Sequence, residues 1–298
     1  MATIREIKRR IKTSKNISQV TRAMEMVSVV KMRKAQEMAI AGRGYSEELE
    51  KMLNILTKET KGQEKSVFLT QPINVKKILI VVIAPKKGLC GPLIGNLFRQ
   101  LSGFMTNDKR FLSSDVSFVT IGKKSKDIVK SFGKPISADF EAFAKEPVIT
   151  DILPISDYIV QELTSKNADL VFVAYTEFIN TMSQKPVVKQ FLPIMLEQKG
   201  EVDDKKEEKK ETDAIILFEP TPSEVLDGLV LRYSQAMLYQ FFLESIASEH
   251  SARMVAMKSA NDSAEDIISD MTLYYNKMRQ NSITIELADS VSSRLGQE

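Results

Sequence analysis

The chain has 298 residues, with 42 lysines and arginines against 39 aspartates and glutamates, a formal charge of +3. That length accommodates one large or two modest domains, and so small a net charge does not demand nucleic acid as a partner. One cysteine, Cys90, and one histidine, His250, exclude an internal disulfide and leave too few soft ligands for a structural zinc site. No apolar run reaches the ~18 residues of a membrane span, and the N-terminus reads as a charged amphipathic helix rather than a signal peptide.

Residues 3 to about 60 predict one long helix. It opens with a capping box, Thr3 with Glu6, and carries Ile4, Ile7, Ile11, Ile17, Val20, Met24, Val27, Ala35, Met38, Tyr45, Leu49 and Leu56 along one stripe, with Ser14 as a polar interruption. Gly42 and Gly44 mark the expected bend, and Gly62 the expected end. The opening half is basic, with Arg5, Lys8, Arg9, Arg10, Lys12, Lys15, Arg22, Lys31, Arg33 and Lys34 against only Glu6 and Glu25. Without interleaved aromatics or a free apolar face, such a helix suits acidic protein partners better than nucleic acid or lipid.

The middle changes to an α/β pattern. Strands are predicted at 78–84, 116–121, 170–178, 187–192 and 214–218, and helices at 92–105, 123–132 and 155–164. Strands that first alternate with helices and then follow one another directly imply a mixed sheet, Rossmann-like in its first half. Between the last two strands, residues 199–213 are densely charged in both signs and read as a solvated loop.

The last element runs from Thr221 to Arg294, roughly seventy residues without proline after Pro222, which at ~1.5 Å per residue exceeds what a globular core needs. Thr221, Pro222 and Glu224 supply its start. Its stripe runs through Leu226, Leu229, Tyr233, Met237, Met254, Met257, Asn261, Ala264, Ile268, Met271, Tyr275, Met278, Ser282 and Ile285, steps averaging ~3.5 residues that imply a left-handed coiled coil. The first helix is its expected partner, antiparallel because a folded segment connects them. The fold class is therefore α/β: a long antiparallel coiled coil of the N- and C-terminal helices plus a central Rossmann-like α/β domain with a mixed sheet. The expected domains are 1–62 for the first helix, 73–219 for the α/β domain and 220–298 for the last helix.

Little in the sequence points to chemistry. Gly88-Leu89-Cys90-Gly91-Pro92-Leu93-Ile94-Gly95-Asn96 follows a strand and opens a helix, yet matches neither dinucleotide nor P-loop spacing, and Pro92 removes an amide. A tight strand-to-helix turn is the expectation. Cys90 has no histidine near it in sequence and reads as a small buried thiol, and His250 as a packing or hydrogen-bonding residue. Methionines at 24, 26, 32 and 38, and at 254, 257, 271 and 278, read as coiled-coil filler or as an adaptable contact face. Neither a cofactor nor a metal is implied.

Four segments resemble the gamma-subunit family of F-type ATP synthases: Ile17 to Lys34 around Ala23-Met24-Glu25-Met26-Val27; Gly88-Leu89-Cys90-Gly91; Glu219-Pro220-Thr221-Pro222 leading to Val225-Leu226; and Ser248-Glu249-His250-Ser251-Ala252-Arg253-Met254-Val255-Ala256-Met257-Lys258-Ser259-Ala260. Arg279-Gln280, Ile283-Thr284 and Glu286 extend the last. The resemblance implies a non-catalytic central-stalk rotor of the F1 sector, an asymmetric coiled coil turning inside a hexamer of alpha and beta subunits and coupling ion flow to ATP chemistry on beta. It implies hexamer contacts at Met24, Lys31, Arg33, Lys34, Arg279, Gln280, Thr284 and Glu286, and a foot motif at Gly88, Leu89, Cys90, Gly91 and Asn96. The implied foot partners are the epsilon subunit and the c-subunit ring. Since the family motif begins almost at Met1, a bacterial protein on the cytoplasmic face of the plasma membrane is expected. The chain departs from the family pattern at Lys86-Lys87, Pro92, Ile94 and Leu231, and in its polar, charged tail from Ser290 to Glu298. Two alternatives compete: a Rossmann-like nucleotide-binding enzyme with helical oligomerisation arms, and a coiled-coil scaffold that never rotates.

Overall fold

The computed structural model describes residues 3–59, 67–72, 74–141, 147–195, 219 and 221–295. In chain order the elements are α1 (Ile4–Glu59), β1 (Lys77–Ile83), α2 (Leu93–Asn107), α3 (Lys109–Ser113), β2 (Asp115–Ile121), α4 (Lys123–Phe132), β3 (Ile136–Phe140), α5 (Ile149–Thr164), β4 (Leu170–Phe178), β5 (Gln184–Leu192) and α6 (Pro222–Leu295). The expected strand at 214–218, the charged loop at 199–213 and Gly62 lie outside the described residues. The chain divides into two compact units, one of residues 1–31, 89–91 and 250–298, the other of 32–88 and 92–249.

The second unit is built on one five-stranded sheet in the order β3-β2-β1-β4-β5. β3, β2, β1 and β4 run parallel, and β5 pairs antiparallel with β4. This is the expected mixed sheet with Rossmann-like order in its parallel part. β1, Lys-Ile-Leu-Ile-Val-Val-Ile, is buried on both faces after its first residue, as the central strand of a covered parallel sheet must be.

Alternate residues of the strands feed two cores. Ile78, Ile80, Val82, Phe118 and Phe172 face Leu97 and Leu101 of α2, Phe111 of α3, and Ile128 and Val129 of α4. Leu79, Val81, Val119, Val173 and Tyr175 belong to the opposite cluster, with Ile152, Ile155 and Ile159 of α5, Leu49, Leu53 and Leu56 of α1, and Leu226, Val230, Tyr233, Phe241 and Phe242 of α6. The C-terminal half of α1, the start of α6 and α5 thus form one layer of a three-layer domain. Within it α1 and α6 run antiparallel: a methyl built on Gly42 would stand 3.5 Å from Gln240 Oε1, while Leu53, further along α1, joins the cluster of Val230, earlier in α6.

Local chemistry explains the helix ends. At the start of α1, Thr3 N–H donates to Glu6 Oε2 at 3.1 Å and Glu6 N–H to Thr3 Oγ1 at 3.3 Å, the reciprocal cap expected from the sequence. At the start of α6, Val225 N–H donates to the Thr221 carbonyl at 3.1 Å. α4 stops at Gly133, whose φ of 63° lets its N–H turn back to the Lys130 carbonyl. α5 begins at Ile149, six residues before the expected start, because Asp151 accepts the Val148 N–H at 2.9 Å and so caps a turn that Pro154 does not interrupt. The short α3 and β3 were not expected. α3 is capped by Asp108, which accepts from Arg110 N–H at 3.0 Å, and β3 is a five-residue, half-exposed strand with too little apolar run to stand out.

Candidate functional site

In the unit formed by residues 1–31, 89–91 and 250–298, the upper part of α1 pairs with the last part of α6. On α6 the expected seam is present: Met257, Asn261 and Ala264 are buried, and Ile268, Met271, Tyr275, Met278 and Ser282 half-buried, with Ile285 exposed. On α1 the seam differs from expectation. Ile4, Ile7 and Ile11 are followed by Ser14, Ser18, Thr21 and Ser28, all buried or half-buried. Thr21 and Ser28 retain 8% and 2% of their exposure, whereas Ile17, Val20 and Val27 are 50%, 58% and 57% exposed. The apolar stripe from Ile17 to Val27 therefore lies one residue, roughly 100°, away from the seam. Tyr45, expected on the same stripe, is also exposed.

The reason is visible in the hydrogen bonds. Thr21 Oγ1 donates within its own helix, 3.0 Å from the carbonyls of Ile17 and Ser18, and Ser28 Oγ reaches the Met24 carbonyl at 2.7 Å. These hydroxyls are buried without loss of a partner. Ser18 instead crosses to the other helix, donating to Asn261 Oδ1 at 2.8 Å, and Asn261 Nδ2 donates to Glu265 Oε1 at 3.0 Å.

The glycine motif also belongs to this unit. Leu89 and Gly91 adopt left-handed φ values of 63° and 56°, Cys90 is buried, and a methyl built on Gly91 would lie 3.8 Å from Ala256 Cβ. Two segments far apart in sequence, the glycine motif and the stretch around Ala256, thus meet. The turn is a packing device against α6, in keeping with the expected structural role. Nearby on α6, Arg253 Nη1 donates to His250 Nδ1 at 3.1 Å. In the other unit, Asn96 accepts from Arg99 Nη2 at 2.5 Å and Gly88 is half-buried.

The remaining sequence-selected residues do not converge on a chemical centre. Met24 and Lys31 are half-buried on α1, and Arg33 and Lys34 are exposed. Arg279, Gln280, Thr284 and Glu286 are exposed along α6, where Thr284 Oγ1 donates to the Gln280 carbonyl at 2.9 Å and Ser282 Oγ to Glu286 Oε1 at 3.5 Å. Among the described residues no three His, Cys, Asp or Glu side chains gather as a metal site. A depression of about 280 Å³ at the carboxyl ends of β1 and β2 collects Lys86, Lys123 and Lys126, but Lys126 pairs with Asp139 at 2.6 Å and Lys86 with Glu141 at 3.3 Å in the same rim. Burial alone pushes the Asp139 carboxyl up, yet its bonds from Lys126 and Thr120 outweigh that and hold it below the usual carboxylate range. Two of the three lysines of this depression are thus paired within its rim.

What sequence reasoning missed is the hydroxyl seam. Strict alternation of three- and four-residue steps from Ile4, Ile7 and Ile11 reaches Ser14, Ser18, Thr21, Glu25 and Ser28, then Met32, Ala35, Ala39, Gly42, Ser46, Leu49, Leu53 and Leu56. The spacing carried the signal; hydrophobicity masked it.

A long helix pair with serines and a threonine in part of its seam and Ile17, Val20 and Val27 outside it, and in the other unit a Rossmann-like sheet, define the class: a helical subunit with an α/β domain. The family model described as ATP synthase matches residues 3–294. An ATP synthase gamma chain of Dehalococcoides mccartyi is 40% identical over 291 residues, covering 98% of both chains, and one of Roseiflexus castenholzii is 39% identical over 292 residues, covering 98% of this chain and 97% of that one. The fold is similar to a chain in the mitochondrial ATP synthase of Euglena gracilis, in a structure of its OSCP/F1/c-ring, with a TM-score of 0.66 at 18% identity over 99% of this chain and 94% of the other.

The chain belongs to the ATP synthase gamma-chain family. It is accordingly a non-catalytic central-stalk rotor subunit, and the ATP chemistry lies on beta subunits. Among the described residues no helix is long and apolar enough to cross a membrane.

Proposed function

We propose that the paired helices turn as an asymmetric shaft inside a hexamer of alternating alpha and beta subunits, so that rotation driven by ion flow cycles three catalytic sites through different conformations. The observation that carries this reading is the outward placement of Ile17, Val20, Met26, Val27 and Val30 on α1 and of Leu273, Ile283, Ile285 and Leu287 on α6. Apolar residues set in a helical surface suit an enclosing partner rather than water. The two helices differ in what they present, α1 mixing branched apolar side chains with a run of exposed arginines and lysines, α6 with acids and amides interspersed with Lys258, Lys277 and Arg279. Three equivalent sites around such a shaft meet three different faces, which biases each towards a different state.

Functionally the chain divides as 1–62 and 220–298 for the shaft and 73–219 for the foot. Met24, Lys31, Arg33 and Lys34, with Arg279, Gln280, Thr284 and Glu286, contact the hexamer, the basic group facing acidic loops of beta. The foot, with Gly88, Leu89, Cys90, Gly91 and Asn96, meets the epsilon subunit and the c-subunit ring. The assembly sits on the cytoplasmic face of a bacterial plasma membrane, with this chain as a peripheral member.

The test is ATP hydrolysis by matching alpha and beta subunits reconstituted with this chain in a Cys90→Ser background, with a cysteine introduced at Arg279 and one on beta. Activity that requires the chain, stops on oxidation and returns on reduction supports the reading. Undiminished turnover with the cross-link formed contradicts it.

A further inference from the structure

The upper half of α1 has two faces that compete for the seam. One is apolar, Ile17, Val20 and Val27; the other, each position one residue on, is hydroxylic, Ser18, Thr21 and Ser28. Hydrophobic burial alone favours turning the first inward, since branched side chains lose more water-exposed apolar surface than hydroxyls do. The structure turns the second inward. Ile7 before this stretch and Met32 and Ala35 after it are buried in phase with the hydroxyls and favour the second face from both ends; within the stretch itself a polar contact acts in the same sense.

We propose that Asn261 is a positioning residue that selects, through Ser18, which face of α1 looks outward. Asn261 is 9% exposed, so its amide requires partners within the protein. Its Nδ2 donates to Glu265 Oε1, a carboxyl oxygen, and with the amide nitrogen so engaged Oδ1 faces α1. There Ser18 Oγ supplies the donor at 2.8 Å. Turning α1 by one residue replaces the Ser18 hydroxyl with the Ile17 side chain and leaves the buried amide oxygen unmatched. Thr21 and Ser28 cannot select the face, because their hydroxyls bond to carbonyls of their own helix and carry those bonds through any rotation. A single buried polar residue that fixes helix pairing is a recognised use of asparagine in coiled coils. Here it fixes azimuth, and through it keeps the bulky apolar stripe on the surface. This deepens the shaft reading, because that stripe is what an enclosing hexamer would touch.

The experiment uses the full-length chain with Cys90→Ser and one reporter at a time, Val20→Cys on the outward stripe or Thr21→Cys in the seam, and measures the rate of maleimide modification. With Asn261 present, the Val20→Cys rate exceeds the Thr21→Cys rate. Asn261→Leu is expected to lower that ratio at least roughly tenfold, the cysteine at 20 becoming protected as the one at 21 emerges. Asn261→Ala is expected to move the ratio in the same direction, and the exchange Ser18→Asn with Asn261→Ser to restore it. A ratio unchanged in both Asn261 variants overturns the proposal. So does a common rise in both rates, because that marks loss of pairing without a change of face. The ratio is read on the chain alone, so its failure leaves the rotor reading standing. Failure of the cross-linking test likewise leaves this proposal standing.

Discussion

Truncating Leu53 and Ile17 to alanine separates the two halves of α1. Leu53 is fully buried in one cluster with Leu226, Val230 and Tyr233 of α6 and with the sheet. Losing a buried leucine costs its transfer energy plus the cavity left behind, ~3 kcal/mol at such a site, or roughly two decades in the local opening equilibrium. Ile17 is half exposed, so its truncation removes on the order of 1 kcal/mol of burial and recovers a few tenths from the better helix propensity of alanine. Peptide-resolved hydrogen exchange of the full-length chain measures both. Leu53→Ala is expected to speed exchange in residues 46–59 about a hundredfold, and Ile17→Ala to change residues 11–31 by no more than roughly fivefold. Equal acceleration in the two places would mean that Ile17 lies in the seam, and the placement of the hydroxyl stripe there would be wrong.

The remaining predictions concern the second unit. Gly133→Ala forces a β-carbon into a left-handed cap at φ 63° and is expected to cost about 1 kcal/mol in urea unfolding, although nothing stands within 4 Å to clash with it. Burial pushes the hydroxyls of Tyr175, Tyr233 and Tyr239 up, that of Tyr233 to about 12, with Glu50 adding to the burial effect. Because these groups hold their protons more tightly when folded, their stabilisation is complete below their unfolded pKa, ~10, and is lost as pH rises beyond it. Circular dichroism against pH should show this alkaline loss, reduced in Tyr175→Phe. The same variant should cost ~1 kcal/mol at neutral pH through the bond from Tyr175 Oη to Glu244 Oε2 at 3.2 Å. At the acid end, Asp139 is held below the usual carboxylate range, so its contribution is present above its unfolded pKa, ~3.9, and disappears as pH falls through its folded one. Asp139→Asn should therefore destabilise at neutral pH and become neutral in acid, as measured by thermal melts at both pH values.

The sheet was legible because β1 and β4 are continuous apolar runs long enough to need cover on both sides, and α4 because Gly133 ends it cleanly. β3 was not, since Ile136 to Phe140 alternates half-buried apolar residues with Ser137 and Asp139 on a short sheet edge. The seam of α6 could be read from Met257, Ile268 and Met271, where spacing and hydrophobicity agree. On α1 they disagree by one residue. Ile17, Val20 and Val27 won by apolarity, whereas the helix follows the period set by Ile4, Ile7 and Ile11 into serines and a threonine. An outward apolar stripe cannot be recognised from one sequence, because the chain that covers it is elsewhere. The glycine motif was recognisable as a turn, but its contact with Ala256 joins positions separated by most of the chain, and no local pattern reports that.

The central claim is that this chain rotates as it couples. The direct measurement attaches a bead through a cysteine replacing the exposed Met182 in the turn between β4 and β5, in a Cys90→Ser background, on hexamers fixed to a surface and supplied with ATP. The account predicts unidirectional rotation in three equivalent steps per turn, at a rate that tracks hydrolysis. Sustained hydrolysis with a stationary bead, the label being shown to sit on the assembled chain, would contradict it.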